Sequence, residues 1–267
     1  MIDTAQYGPW ALIAGGSEGV GAEFARLLAE AGLQLVLVAR NAEALGQTAE
    51  QCRRYGGEVR TVQADLSAPD ACARIAAATA GLEVGLLILV AGANTHSHEF
   101  LDGDLAEFQR VIDLNVSTPL ALVHYYGQAM RSRRRGGIVL LGSLAGYLGS
   151  VRHTVYGGVK AFTRIFAEGL WLELREHGVD VLELVLGVTR TPAMQRIGLN
   201  FDAPGIVVAE PADVAREALE WLGRGPVHVV SGNEKLVELR SDADRAGAVL
   251  GAHRAMQRLL NAEREQR

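Results

Sequence analysis

Tyr156 and Lys160 stand four residues apart in Val155-Tyr156-Gly157-Gly158-Val159-Lys160. On a helix this spacing puts a phenol and an ammonium on one face. At about 4 Å and an effective dielectric of about 20, the ammonium favours the phenolate by roughly 4 kcal/mol, or about three pKa units. That would carry a tyrosine toward neutrality, where a general acid/base works best. Such pairs also arise by chance on exposed helices, so the neighbouring residues decide. Ser143 lies thirteen positions earlier, just after the apolar run 137–141, and Asn115 falls inside a long helical pattern. Asparagine is mildly unfavourable in a helix interior; a buried hydrogen-bonding role and an ordinary satisfied core amide both explain it.

A second group could hold a ligand. Ala14-Gly15-Gly16-Ser17-Glu18-Gly19-Val20-Gly21 follows an apolar run and precedes a helical pattern, giving G-x3-G-x-G through Gly15, Gly19 and Gly21. Glycine lets the backbone turn sharply and approach a ligand, and a helix N-terminus offers free N–H groups to a pyrophosphate. An ordinary glycine-rich turn reads the same way. About twenty residues on, where an acidic residue would hold a ribose 2′-hydroxyl, stand Ala39 and Arg40. A guanidinium pairs with a 2′-phosphate and stacks on adenine, which favours NADP(H) over NAD(H). Asp65, closing the third apolar run, is placed either to accept from an adenine amino group or to cap a turn.

These residues need a scaffold that gathers strand ends. Apolar runs at 10–14, 34–39, 58–63, 86–90, 137–141, 180–186 and 228–230 alternate with helical patterns at 20–31, 42–55, 69–79, 105–131, 155–177 and 212–222. Most of the runs lack period-2 polarity, as in strands buried on both faces of a parallel sheet. The alternation predicts an α/β Rossmann-like, doubly wound sheet of about seven strands in a single domain over residues 1–233. Residues 191–210 are poorly periodic, and 234–267 read as a C-terminal helical extension. In that extension Val249, His253, Met256 and Leu260 form an apolar stripe that packs on the same domain or on a partner subunit.

Composition narrows the field. The net charge is −5, against a broadly cationic nucleic-acid binder. The basic cluster Arg131, Arg133, Arg134 and Arg135 is accounted for by a helix C-terminus. The longest apolar run is far short of the ~20 residues of a membrane span. Two cysteines, Cys52 and Cys72, make neither a disulfide framework nor a metal site alone, and with no signal-like start the expectation is a cytoplasmic protein. His96 and His98 lack the partners of a metal site and read as loop residues.

Taken together, the glycine loop, Asn115, Ser143 and Y-x3-K, in this order and spacing, resemble the short-chain dehydrogenase/reductase family over about residues 8 to 231. The resemblance implies an NADP(H)-dependent oxidoreductase moving a hydride between nicotinamide and a small-molecule carbonyl or alcohol. By matching positions, Tyr156 exchanges the substrate proton and Ser143 binds the substrate oxygen. Lys160 lowers the tyrosine pKa and holds the nicotinamide ribose, while Asn115 keeps a relay water. The dinucleotide set implied is Gly15, Ser17, Gly19, Val20, Gly21, Arg40, Asp65, Leu66, Ala91, Gly92, Tyr156, Lys160, Gly187, Thr189 and Thr191. A homodimer or homotetramer is also implied.

The chain departs from the family pattern at Ala14, usually threonine, and at Leu89-Val90-Ala91-Gly92, which lacks the usual asparagine. It departs again at Leu186-Gly187-Val188-Thr189-Arg190-Thr191, which lacks the usual proline. Apolar residues after Ser143 and at Met194, Ile197, Leu199, Phe201 and Ile206 suggest an apolar pocket under a lid. Two rival readings are an NAD(H)-dependent alcohol or hydroxysteroid dehydrogenase, and a dinucleotide sensor without turnover.

Overall fold

The computed structural model describes residues 2–196, 198–202 and 206–265. Ile197 of the expected lid, and the side chains of Met256 and Leu260 of the tail stripe, lie outside the described residues. The seven strands are β1 (Trp10–Ala14), β2 (Gln34–Ala39), β3 (Val59–Gln63), β4 (Val84–Leu89), β5 (Gly136–Ser143), β6 (Val179–Leu186) and β7 (Val227–Val229). All pair in parallel, in the order β3-β2-β1-β4-β5-β6-β7. Between them run α1 (Gly19–Glu30), α2 (Ala42–Arg53), α3 (Ala71–Ala78), α4 (Leu105–Ile112), α5 (Thr118–Arg133), α6 (Thr154–Leu174) and α7 (Pro211–Trp221).

The continuous apolar runs are explained by helices on both faces. Along β1, Ile13 joins Phe24, Leu28 and Val214 on one face, while Leu12 joins Leu122, Met130 and Ala167 on the other. At the sheet edge, β3 exposes Arg60, Thr61 and Gln63, because only one neighbour covers it. The order reverses between β1 and β4, and such a switch point opens a crevice beyond the strand C-termini. The segments after β1, β4, β5 and β6 border that crevice.

Two expectations change in detail. The single helix expected over 105–131 is interrupted by a π-helical turn, Asp113–Ser117. β5 extends through Gly142 and Ser143, so Ser143 belongs to the strand end rather than to the loop after it. The poorly periodic region contains a short helix, Pro192–Arg196, and a two-residue strand pair, Val188–Thr189 with Val208–Ala209.

Three arginines of the basic cluster fasten the N-terminal ends of the strands, a role beyond complementing a helix dipole. Arg133 donates to the Val84 carbonyl, Arg134 to that of Glu176 at 2.8 Å and Arg135 to that of Ala5 at 2.7 Å. Arg135 also pairs with Glu83.

The extension forms α8 (Glu234–Arg240) and α9 (Arg245–Glu265), and it hydrogen-bonds to the turn after β5. Val249 and His253 of the stripe are half-buried. Among the described residues no helix is long and apolar enough to cross a membrane.

Phe24 is wholly buried beneath the glycine loop. Phe24→Ala is expected to cost about 3–5 kcal/mol, measured by urea denaturation. A loss below about 1 kcal/mol would mean that the layer under α1 collapses to fill the cavity.

Candidate active site

The glycine loop is built by close backbone approach. Gly15 has φ +97°, and a Cβ there would stand 2.7 Å from the Ala91 nitrogen. A Cβ on Gly21 would fall 1.9 Å from the Gly15 carbonyl oxygen. Neither position admits a side chain. Helix α1 starts at Gly19 with no side-chain cap from Glu18, so its first N–H groups are left uncapped, as in a helix start that could hold an anion. Ser17 is half-buried, its carbonyl accepting from Thr48 Oγ1 at 3.0 Å, and Val20 is buried in the core. After β4, where the usual asparagine is missing, Val90 and Ala91 both donate their backbone N–H to the Ala14 carbonyl at 2.9 Å.

Arg40 and Asp65 lie apart from the reacting group, at the exposed ends of β2 and β3. Gln63 Nε2 joins them by donating to the Arg40 carbonyl at 3.1 Å. Burial alone would raise the Asp65 carboxyl, but two hydrogen bonds from Ser67 and the Arg40 and Arg110 guanidiniums hold it below the usual range. Leu66 beside it is buried.

Four other expected residues converge. Lys160 is 5% exposed and donates Nζ to the Leu141 carbonyl at 2.8 Å. The π turn, a feature often found at functional sites, turns Asn115 inward. Its Nδ2 donates to the carbonyls of Val111 at 2.8 Å and Ala93 at 3.2 Å, while its buried Oδ1 has no partner. A Cβ on Gly92 would lie 2.8 Å from both Asn115 Oδ1 and Lys160 Nζ. An acceptor and a donor thus face the same bare backbone. Tyr156 lies one turn before Lys160, whose ammonium is 5.7 Å from the phenol ring centroid. Ser143 Oγ, at the end of β5, accepts from the Ala145 N–H at 3.1 Å and faces the phenol.

The electrostatics differ from the expectation of a phenol lowered toward neutrality. Burial pushes the Tyr156 phenol up, with Ser143 pulling the other way. Lys160 does not offset that burial, because its ammonium is turned to the Leu141 carbonyl. Burial also lowers Lys160 to about 8, against an upward pull from Glu183.

The threonine segment closes the site. The Thr191 methyl would lie 3.0 Å from a Cβ on Gly19, and Thr189 is buried with Oγ1 unpartnered. Gly187 packs on Asn233, whose Oδ1 would be 2.3 Å from a Cβ there. The helix Pro192–Arg196 is tied to the glycine loop by Arg196, which donates to Glu18 at 2.9 Å. Phe201 of the expected lid lies under the Arg190 guanidinium at 4.7 Å. His96 and His98 stack at 4.2 Å, and His96 accepts from the Asp104 N–H at 3.1 Å. Among the described residues no group of three His, Cys, Asp or Glu could hold a metal.

Glu183 went unnoticed in the sequence, although a glutamate inside Val181-Leu182-Glu183-Leu184-Val185 is itself a signal. It is 1% exposed, lies across Gly142, where a Cβ would meet Oε1 at 2.1 Å, and has Oε2 unpartnered. Burial lifts its carboxyl from 4.5 to about 8, with Arg164 and Lys160 pulling down and Glu168 pushing up.

A raised carboxyl binds more protons folded than unfolded between these values. Its stability contribution is complete below about pH 4.5 and is lost as pH rises through about 8. Lys160, depressed from 10.5 to about 8, acts in the window above and restores stability there. The melting temperature should therefore fall from about pH 4.5 to about pH 8, and Glu183→Gln should flatten that slope. An equal slope in the variant, read by thermal denaturation, would assign it to another group.

Comparisons with known proteins agree with one another. A family model described as short chain dehydrogenase matches residues 9–200. A 7beta-hydroxysteroid dehydrogenase of Collinsella aerofaciens is 33% identical over 223 residues, covering 82% of this chain and 84% of that protein. A structure concerned with 7beta-hydroxysteroid dehydrogenase stereoselectivity superposes with TM-score 0.85 at 30% identity, covering 93% and 98% of the two chains. A short-chain dehydrogenase from Sphingobium yanoikuyae in complex with NADPH superposes with TM-score 0.77 at 30% identity, covering 93% and 95%.

Proposed function

The chain belongs to the short-chain dehydrogenase family, and we propose that it uses NADP(H) to interconvert a secondary alcohol and a ketone on a bulky apolar substrate. As a member of that family it is an oxidoreductase acting on CH–OH and C=O groups. The observation that carries the alcohol–ketone chemistry is the grouping of Ser143, Tyr156, Lys160 and Asn115 beyond the C-terminal ends of β4 and β5.

When bound, the dinucleotide supplies or accepts the hydride. The residues that fit it are Gly15, Ser17, Gly19, Val20 and Gly21 around the uncapped start of α1, with Ala91 and Gly92 beside the unpartnered Asn115 Oδ1. Gly187, Thr189 and Thr191 follow on the far side, and Tyr156 and Lys160 complete the reacting end. Arg40 would take a 2′-phosphate, with Asp65 and Leu66 flanking the adenine. The NADPH complex of the Sphingobium relative supports this cofactor.

In reduction, Tyr156 gives its phenolic proton to the substrate oxygen as charge develops there. Burial favours the protonated phenol, so the residue waits in the form a proton donor needs. Ser143 donates to the same oxygen and fixes its position. Lys160, anchored on Leu141, holds α6 and with it Tyr156 in place, and Asn115 Oδ1 accepts from a water that returns the proton. In oxidation the same groups act in reverse.

The relatives' steroid activity favours a large apolar substrate. We assign subunit association to α5 and α6, where Tyr125, Phe162, Ile165 and Leu172 are exposed.

Tyr156→Phe should lower kcat by about 10²–10⁴-fold while leaving the Kd for NADPH within about threefold, followed by nicotinamide absorbance on bulky ketones including ketosteroids. Retained turnover would remove Tyr156 from the proton step. Arg40→Ala should weaken NADPH binding by about tenfold or more, the worth of a charge-assisted hydrogen bond, and leave NADH unaffected. Equal effects on both cofactors would separate Arg40 from the 2′-phosphate.

A further inference from the structure

The turn that follows Ser143, Leu144–Gly146 with Tyr147 after it, is held from two sides. On one side it lies against α6: a Cβ on Gly146 would stand 2.7 Å from the Lys160 carbonyl carbon, and one on Gly157 would stand 3.1 Å from the Ala145 oxygen. The Arg164 guanidinium sits 4.2 Å from the Tyr147 ring centroid. On the other side it is held by the C-terminal extension. Arg240 Nη1 donates to the Leu144 carbonyl at 2.8 Å, and Arg245 Nη2 donates to the Tyr147 carbonyl at 2.8 Å. The two arginines are themselves joined, because Arg245 Nη1 donates to the Arg240 carbonyl.

Guanidinium groups are used here, as at Arg133, Arg134 and Arg135, to hold backbone carbonyls. Other arginines on this surface face carboxylates, as Arg196 faces Glu18 and Arg190 faces Glu210. Among the described residues neither Arg240 nor Arg245 forms an ion pair with an acidic side chain. Arg240 is half-buried and partly desolvated. A cation with little water around it requires acceptors, and the turn beside Ser143 presents them. Carbonyl groups in a tight turn otherwise take solvent. The guanidinium fork, with several donors in one plane, fixes their direction instead.

We propose that Arg240 and Arg245 are positioning residues, and that through them the C-terminal extension clamps the turn that follows Ser143 and so holds Ser143 on the substrate side of the site. This inference rests on the substrate role given above to Ser143. The extension is then a working part of the pocket wall, and the geometry of Ser143 depends on residues about a hundred positions away in the chain.

The test compares the full-length protein with Arg240→Ala, Arg245→Ala, the double alanine variant and the paired lysine variants, which keep a cation with fewer donors. Backbone hydrogen exchange over 144–150 is read without cofactor or substrate, alongside the Kd for NADPH and the separate kcat and KM for a ketone. The expected result is exchange at least about tenfold faster over 144–150 in the double alanine variant, with β1–β4 unchanged. The NADPH Kd should stay within about twofold, and kcat/KM for the ketone should fall at least about tenfold. The lysine variants should recover part of both losses.

Unchanged exchange over 144–150 overturns the clamp, and so does faster exchange with undiminished kcat/KM. If the double variant fails to fold, the single lysine variants decide by the same two criteria. If the wild type reduces no ketone while the exchange result appears, the reading of Ser143 falls and the clamp on the turn stands.

Discussion

A lysine ammonium buried against a sheet must be given an acceptor, and the Leu141 carbonyl at the end of β5 is the one it has. Much of the site's architecture follows from that single bond. It fixes how deeply α6 sits on the sheet and therefore where Tyr156 stands one turn earlier. Its surroundings must be bare: Gly92, Gly142 and Gly146 lie where a side chain would collide with Asn115 and Lys160, with Glu183, or with the backbone of α6. The π turn at Asp113–Ser117 adds the residue that faces the same space from the other helix. Substituting Gly92 or Gly142 strikes that charge arrangement directly, and substituting Gly146 strikes the backbone of α6.

Glu183 sharpens this picture. Two buried ionisable groups of opposite sign share one region, both titrating near neutrality instead of at the extremes. A pair of this kind contributes little net stability once desolvation is counted. Its effect is to make the protonation of the interior beside Ser143 and Lys160 respond to pH.

Much of this was legible in the sequence because it is written in local patterns. Continuous apolar runs gave the parallel sheet, and the strand-to-helix glycine run gave the loop that only bare backbone can form. Tyr156 and Lys160 were visible by helical spacing taken together with Ser143, Asn115 and the glycine loop. Other features depend on distant parts of the chain. The π turn needs a carbonyl on Ala93 to turn Asn115 inward, and no periodicity announces it. The direction of the Lys160 ammonium depends on Leu141, so a pKa argued from a four-residue spacing had the wrong neighbour. Arg240 and Arg245 look like ordinary surface charge until the tail is folded back on the turn. Glu183 could have been found, since a lone glutamate between valines and leucines is chemically conspicuous.

The arginines at the N-terminal ends of the strands have a consequence for how such a protein can change. Arg133, Arg134 and Arg135 tie the end of α5 to Val84, Glu176 and Ala5, elements far apart in the chain. Strand register is thereby anchored on the side away from the crevice. The connections after β4, β5 and β6 are released from that duty, so they can lengthen, shorten or exchange residues while the strands keep their places. A scaffold fastened at its base in this way can acquire a new substrate by drift in its upper loops, with the cost in folding confined to the loops themselves.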